Sequence, residues 1–401
     1  MKRINPQGPL LAILILFIFG MAFMPFQKQK ERSIVVMGYY VPEKDYAPDQ
    51  LPLEQLTHII FSFTNVIDGE MKFRDEQTGQ KLRDLVAQRK QHPHLKVMIA
   101  CGGWGADGFS DMSHTAENRE KFVKSVVAFN KEYQLDGLDI DWEYPAIPAA
   151  GTGARPEDKQ NFTLLMKELR HALNTLERKQ TLTFASAGWK RYYKNIEIKE
   201  VMKHVDYMNV MTYDQIGSTS PFTGHHTALG LIEEKDVQGT PAWEYLEERK
   251  EEMKKRGYTY EPRSAEKIVD FCIENGVKPE QLVIGGAFYG RAWKGVPPNN
   301  NGLYQPNSGS HIGWSGYRQI RKEFESNKNY KRYWDPVAKA PYLYSATDSI
   351  FISYDDSVSV RLKTEYALSK KLGGIMFWQL GNDTKEKNSL LKAMYDASIK
   401  N

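Results

Sequence analysis

The chain has 401 residues, 41% hydrophobic, 26% charged and 12% aromatic, which suits an ordinary globular protein and leaves open two or three average domains or one large α/β barrel. Its 54 basic and 50 acidic residues give a net charge of +4, with lysines scattered among glutamates, so a phosphate-tracking surface is excluded and no nucleic-acid partner is expected. Only two cysteines occur, Cys101 and Cys272, each in an apolar run, which excludes a disulfide framework and favours two buried thiols over a single bridge.

The first element reads as an export signal: Met1-Lys2-Arg3, then an apolar stretch over residues 9–26, then Gln27-Lys28-Gln29-Lys30. At about 18 residues the stretch falls between a signal-peptide core and a full membrane span. Residues 1–32 are therefore expected either to be cleaved near Gly20-Met21-Ala22 or to stay as a membrane anchor, with the protein exported, secreted or periplasmic. No cysteine stands nearby to carry a lipid.

Over residues 33–400, short apolar or β-branched runs alternate with longer amphipathic segments, the pattern of βα units around a parallel sheet. Eight runs are present, at 34–40, 58–64, 95–101, 135–143, 181–187, 205–213, 282–289 and 373–379. After the third, Thr115 is placed to cap a helix with Phe122, Val123, Val126 and Phe129 on one face. Pro156 suits the first position of another, in which Leu165, Leu169, Ala172, Leu173 and Leu176 keep helical spacing. Ser264 and Gly276 bracket a third around Ile268, Val269, Cys272 and Ile273. The pattern predicts an α/β fold, a (β/α)8 TIM barrel; a doubly wound open sheet is the alternative.

Two connections exceed a plain helix. Segment 232–263 contains the charged run 244–256, read as an exposed helix without chemistry. Segment 294–350, between the seventh and eighth runs, mixes Gly, Asn and Pro with Trp314, Tyr317, Tyr330, Tyr333, Trp334 and Tyr342, and reads as a small inserted subdomain.

The fourth run ends in Asp136-Gly137-Leu138-Asp139-Ile140-Asp141-Trp142-Glu143-Tyr144-Pro145. Side chains alternate along an extended strand, so Asp139, Asp141 and Glu143 share one face and Ile140 and Trp142 the other. Unpaired charges on a barrel's inner face oppose folding, and the carboxyl ends of barrel strands are where active sites sit. Such a cluster serves either a divalent metal or acid–base chemistry by carboxyls whose pKa values are driven apart. The other strand ends offer mainly Tyr, Met, Asp214 and Trp378, which favours acid–base chemistry; neither metal nor cofactor is expected.

This run resembles the signature of the family-18 glycoside hydrolases, the chitinase-like barrels. Ala100-Cys101-Gly102-Gly103-Trp104 resembles that family's Ser-x-Gly-Gly strand end, and Met211-Thr212-Tyr213-Asp214 its Met-x-Tyr-Asp. Phe288-Tyr289-Gly290-Arg291-Ala292-Trp293 and Met376-Phe377-Trp378-Gln379 also fit, and Ile352-Ser353-Tyr354-Asp355-Asp356 resembles the exit of the α+β insertion in the deep-cleft subgroup. The resemblance implies hydrolysis of β-1,4 bonds in N-acetylglucosamine polymers, chitin or its oligosaccharides, by substrate-assisted retention. Glu143 is then the proton donor, Asp141 the partner of the substrate acetamide, Asp139 the residue sharing a proton with Asp141, and Tyr213 a donor to the acetamido oxygen. Trp378 is implied as the floor under the reacting sugar, and Asp214 and Arg291 as polar groups at the rim. Tyr39, Phe63, Gly102, Gly103, Trp104, Tyr144, Met211 and Tyr289 are implied as the remaining substrate contacts. The sequence departs from the family pattern where Ala100 replaces the usual serine and where segment 232–263 is long. His225 and His226 resemble a recurring loop and are expected to be structural. Two other classes stand beside this reading: an N-acetylglucosaminidase acting within glycoprotein or peptidoglycan glycans, and a chitin-binding lectin, in which the acid present here as Glu143 is typically replaced.

Overall fold

The computed structural model describes residues 34–42, 46–255, 261–311 and 315–399. The export segment expected over residues 1–32, and Trp314, lie outside the described residues. Among the described residues no helix is long and apolar enough to cross a membrane.

The strands in chain order are β1 (Val35–Tyr40), β2 (His58–Ile67), β3 (Glu70–Lys72), β4 (Lys96–Gly102), β5 (Gly137–Asp141), β6 (Thr181–Ala187), β7 (Tyr207–Met211), β8 (Leu282–Ala287), β9 (Tyr289–Lys294), β10 (Ser315–Gly316), β11 (Lys331–Asp335), β12 (Ala340–Ser345), β13 (Ile350–Ser353) and β14 (Gly374–Trp378). β1, β2, β4, β5, β6, β7, β8 and β14 pair in parallel in that order, and β1 pairs with both β14 and β2, so the sheet closes into a (β/α)8 barrel rather than an open doubly wound sheet. Alternation along the strands sorts two cores. Met37, Ile60, Met98, Val283 and Met376 fill the barrel, while Phe61, Ile140, Phe184 and Phe377 face the helices.

The helices follow their chemistry. Thr115 accepts the Asn118 N–H at 3.2 Å and opens the helix Ala116–Glu132, which buries Phe122, Val123 and Val126. Ser264 does the same for Ala265–Glu274, and Gly276, at φ +88°, turns the chain out of it. Pro156 stands in the turn ahead of Asp158–Leu173 rather than at that helix's first position. The charged run in 232–263 is helical over Pro241–Lys255 and packs through Ala242 and Leu246 against Phe222. Cys101 and Cys272 are both buried and free, so no bridge joins them.

The insertion is wider than the 294–350 expected. β9 and β13 belong to its antiparallel sheet, ordered β10-β9-β13-β12-β11, so the sheet begins at Tyr289 and ends at Ser353. The seventh apolar run therefore covers the whole of barrel strand β8 and the first residue of insertion strand β9, with Phe288 between them. Trp293, Val296, Leu303, Tyr342, Tyr344 and Phe351 give the sheet its own core. Its exit is fixed to the barrel by Asp355, which accepts the Ala287 N–H at 2.9 Å and the Thr227 hydroxyl at 2.8 Å and pairs with the buried ammonium of Lys363 at 2.6 Å. These contacts satisfy the buried Asp355 side chain and tie the segment after β7 and the end of β8 to the insertion.

Candidate active site

β5 and the bend that follows it carry the three acids from the barrel interior to its mouth: Asp139 is 0% exposed, Asp141 5% and Glu143 9%. On the other face Ile140 is buried, and Trp142 stacks on Phe109 at 5.4 Å between ring centroids. Packing of the apolar face thus fixes the direction of the acidic one.

Asp139 lies in register with Ala100 of β4 on one side and Thr183 of β6 on the other. The Thr183 hydroxyl donates to its Oδ1, the Asn209 amide does so at 3.1 Å, and the Tyr39 hydroxyl donates to Oδ2 at 2.8 Å. Burial drives the carboxyl up and these donors pull it back, leaving its pKa at about 6. Asp141 lacks such support. Its buried Oδ1 has no hydrogen-bond partner, and burial, then the charges of Glu143 and Asp139, hold its pKa well above the carboxylate range. Both carboxyls of this pair are thus held above the usual carboxylate range, Asp139 with three donors on it and Asp141 with none on its Oδ1. Burial raises Glu143 to about 7, a hydrogen bond from Tyr144 opposing the shift and the charge of Asp214 adding to it. Three buried acids at this strand end are thus all held above the usual carboxylate range, which keeps a proton available near neutrality for acid–base chemistry.

Above them opens a cleft of about 1050 Å³, whose lining includes Asp141, Glu143 and Tyr213. Trp378 presents its ring there, stacked on Phe63 at 5.5 Å and tilted against Tyr39 at 5.8 Å. Tyr213 is held as a neutral donor, because burial and then the neighbouring carboxylates raise its hydroxyl pKa well above the ordinary value. Asp214, at φ +51°, accepts both Nε and a terminal nitrogen of Arg291 at 2.8 Å and has His226 Nδ1 at 3.7 Å. Burial works against its ionisation, but hydrogen bonding and charge from His226, and the charge of Arg291, outweigh it and lower its pKa.

The model of the family described as "Glycosyl hydrolases family 18" matches residues 35–383. The chain belongs to glycoside hydrolase family 18.

Among curated relatives, it is 36% identical to chitinase A1 of Niallia circulans over 80% of this chain and 45% of that one. It is 31% identical to chitinase B of Serratia marcescens over 84% of this chain and 75% of that one. The chain thus spans about half the length of the first relative and three quarters of the second. Among solved structures, a family-18 N-acetylglucosaminidase from Paenibacillus barengoltzii superposes with a TM-score of 0.78 at 35% identity, over 91% of this chain and 99% of that one.

Within this family-18 cleft the expected residues sort into three groups. Tyr39, Phe63, Trp104, Asp141, Glu143, Tyr144, Met211, Tyr213, Asp214, Tyr289, Arg291 and Trp378 all line it. Tyr289 does so from β9 of the insertion, not from the barrel strand in which the apolar run had placed it. Trp104 stands 68% exposed, edge-on to Tyr144 at 6.4 Å. Asp139 lies beneath the cleft floor. Gly102 and Gly103, expected as substrate contacts, stand behind the wall: a Cβ on Gly102 would lie 2.0 Å from the Asp141 carbonyl oxygen, and the Gly103 N–H donates to that oxygen at 2.9 Å. Their φ values of +125° and +96° suit glycine alone, so these residues shape the backbone that carries Asp141. His226, read as structural, reaches the site through Asp214.

Three features went unread. Thr183 and Asn209 hold Asp139 only because strand register brings them to it. Trp189, whose ring meets Tyr144 at 5.4 Å, follows the fifth run directly, and an aromatic just past a strand end was the available signal. A basic end of the cleft, built from residues 190–191 and 261–267, has no signal within either segment.

Proposed function

We propose that the protein hydrolyses β-1,4 bonds in chitin or chito-oligosaccharides with retention, the substrate's own acetamido group acting as nucleophile. The observation that carries this reading is the pairing at the end of β5 of a buried acid near pKa 7, Glu143, with Asp141, whose Oδ1 is buried and unpartnered. Glu143 gives its proton to the glycosidic oxygen as the C1–O bond breaks, and the leaving chain departs as an alcohol. The acetamido oxygen of the sugar over Trp378 bonds to C1, giving an oxazolinium. Its positive charge favours ionised Asp141, which turns to accept the acetamide N–H while its proton passes to Asp139. Tyr213 donates to the acetamido oxygen. Glu143, now a carboxylate, takes a proton from water as that water attacks C1 and reopens the ring.

The names of the Niallia and Serratia relatives support chitin as the polymer. The Paenibacillus N-acetylglucosaminidase favours a second reading, action on shorter N-acetylglucosamine chains, which the same site serves. We place the catalytic unit at 33–400, with its 289–353 insertion, outside the cytoplasm. The apolar run at 9–26 supports export, by cleavage or as a membrane anchor.

The test is the substrate's acetyl group. A chitin hexasaccharide is expected to be cut with β-anomer product appearing first by proton NMR, and its fully deacetylated counterpart to resist. First appearance of the α-anomer, or equal cleavage of both chains, would sink substrate assistance.

A further inference from the structure

The barrel's own hydrogen bonds stop short of the acid at its mouth. β5 pairs with β4 as far as Asp141 and with β6 as far as Ile140, so Glu143 stands two residues beyond the last ladder pair. Strand register therefore fixes Asp139 and Asp141 but not Glu143. A proton donor has to be held in place, since a misplacement of about 1 Å costs on the order of 100-fold in rate. Groups outside the barrel sheet have to supply that hold.

The contacts on either side of Glu143 converge on one buried side chain. Asp158, the first residue of the helix Asp158–Leu173, is 0% exposed. Its Oδ2 accepts the Ala146 N–H at 3.3 Å and the Arg155 N–H at 2.9 Å, while the Ser110 hydroxyl donates to Oδ1 at 2.8 Å and stands 3.0 Å from Oδ2. Ala146 lies in the turn directly after Glu143, where the Ile147 N–H donates to the Tyr144 carbonyl at 3.2 Å. Its φ of +56° is in the left-handed region, which an alanine adopts only at a cost, so this turn needs an outside contact to hold it. Ser110 belongs to the helix Phe109–His114 and follows Phe109, the ring stacked on Trp142. The Arg155 guanidinium donates to the Ser110 oxygen at 3.0 Å and to Asp111 at 2.6 Å, which leaves the Ser110 proton for Asp158. An acid in the first turn of a helix ordinarily serves that helix. Here two of the three donors come from segments 12 and 48 positions earlier in the chain, so the contact serves the segments around Glu143 instead.

We propose that Asp158 is the positioning residue for Glu143: it clamps the turn after the acid, through Ala146, and the aromatic packing before it, through Ser110 and Phe109, to one helix end. The inference rests on the hydrolase reading for what the position of Glu143 means, and on the contacts alone for what holds it there. Burial is the largest cause of the rise of Glu143 to about 7 and outweighs the opposing hydrogen bond from Tyr144. Releasing the turn therefore lets water in and lowers that value.

The test reads the Glu143 proton directly, by carbon-13 NMR of the full-length protein labelled at glutamate side-chain carboxyls, the signal being assigned by its loss in Glu143→Gln. Asp158→Asn keeps the size of the side chain but replaces one acceptor oxygen by an amide nitrogen that cannot accept these N–H groups. In this variant Glu143 is expected to titrate lower by about one unit, with kcat on a chitin hexasaccharide down about tenfold and KM within about twofold of the wild type. Ser110→Ala removes one donor and leaves the others; it is expected to move both readouts in the same direction by less, and it carries the test if Asp158→Asn does not fold. Asp136→Asn is the control, because Asp136 is a buried acid at the opposite end of the same strand, where it accepts the Val97 N–H at 2.9 Å. It is expected to lower stability to urea while leaving the Glu143 titration and kcat as in the wild type. An unmoved titration and kcat in Asp158→Asn and Ser110→Ala, or an equal shift in Asp136→Asn, overturns the role of Asp158. If the wild type cleaves no N-acetylglucosamine chain, the hydrolase reading fails, and the titration still decides whether Asp158 holds Glu143 in place.

Discussion

Replacing Glu143 by glutamine is expected to stabilise the fold while abolishing the chemistry, and the size of the effect follows from its burial. The carboxyl is lifted from an ordinary 4.5 to about 7 by desolvation. The folded protein therefore holds this proton more tightly than the unfolded chain, and stability falls as pH rises through the window between those two values. At about 1.4 kcal/mol per unit, the ionised carboxylate costs about 3 kcal/mol above pH 7. Glutamine keeps the shape and removes the charge. Urea unfolding of both proteins is expected to give a stability difference favouring the variant that grows by about 2–3 kcal/mol between about pH 5 and pH 8. A difference that does not change with pH would refute the burial of a high-affinity proton at this position.

The same proton sets the rate: above about pH 7, kcat/KM is expected to fall tenfold per unit as Glu143 ionises, which a pH profile on a soluble oligosaccharide reads directly. Thr183→Val removes a donor from Asp139 worth about 1.5 kcal/mol. It is expected to move the acid limb of that profile, near 6 in the wild type, upward by about one unit; an unmoved limb would show that Thr183 does not hold the Asp139 charge. Gly102→Ala places a Cβ 2.0 Å from the Asp141 carbonyl, so the variant is expected to unfold at lower urea and lose activity, with no compensating gain in binding.

The barrel was legible because fully buried parallel strands write themselves as apolar runs, and the acidic face of β5 because a period of two is visible in five residues. The end of β8 was not, since Phe288 continues the apolar run straight into Tyr289 with no turn residue to mark the change from barrel to insertion. Among the site residues, those at strand ends were readable by position. Thr183 and Asn209 were not, because their claim on Asp139 depends on register between strands, which no local pattern records. The departure at Ala100 was visible, but what holds Asp139 there instead was not. Gly102 and Gly103 were placed in the lining because a motif names residues without saying whether they contact the ligand or shape the chain behind it.

The most direct measurement is the release of soluble oligosaccharides from colloidal chitin by the wild-type protein and by Glu143→Gln. With Glu143 as proton donor, the wild type releases them and the variant is slower by about 100-fold or more. Equal release by the two proteins would contradict the assignment of Glu143 and with it the proposed chemistry of the site.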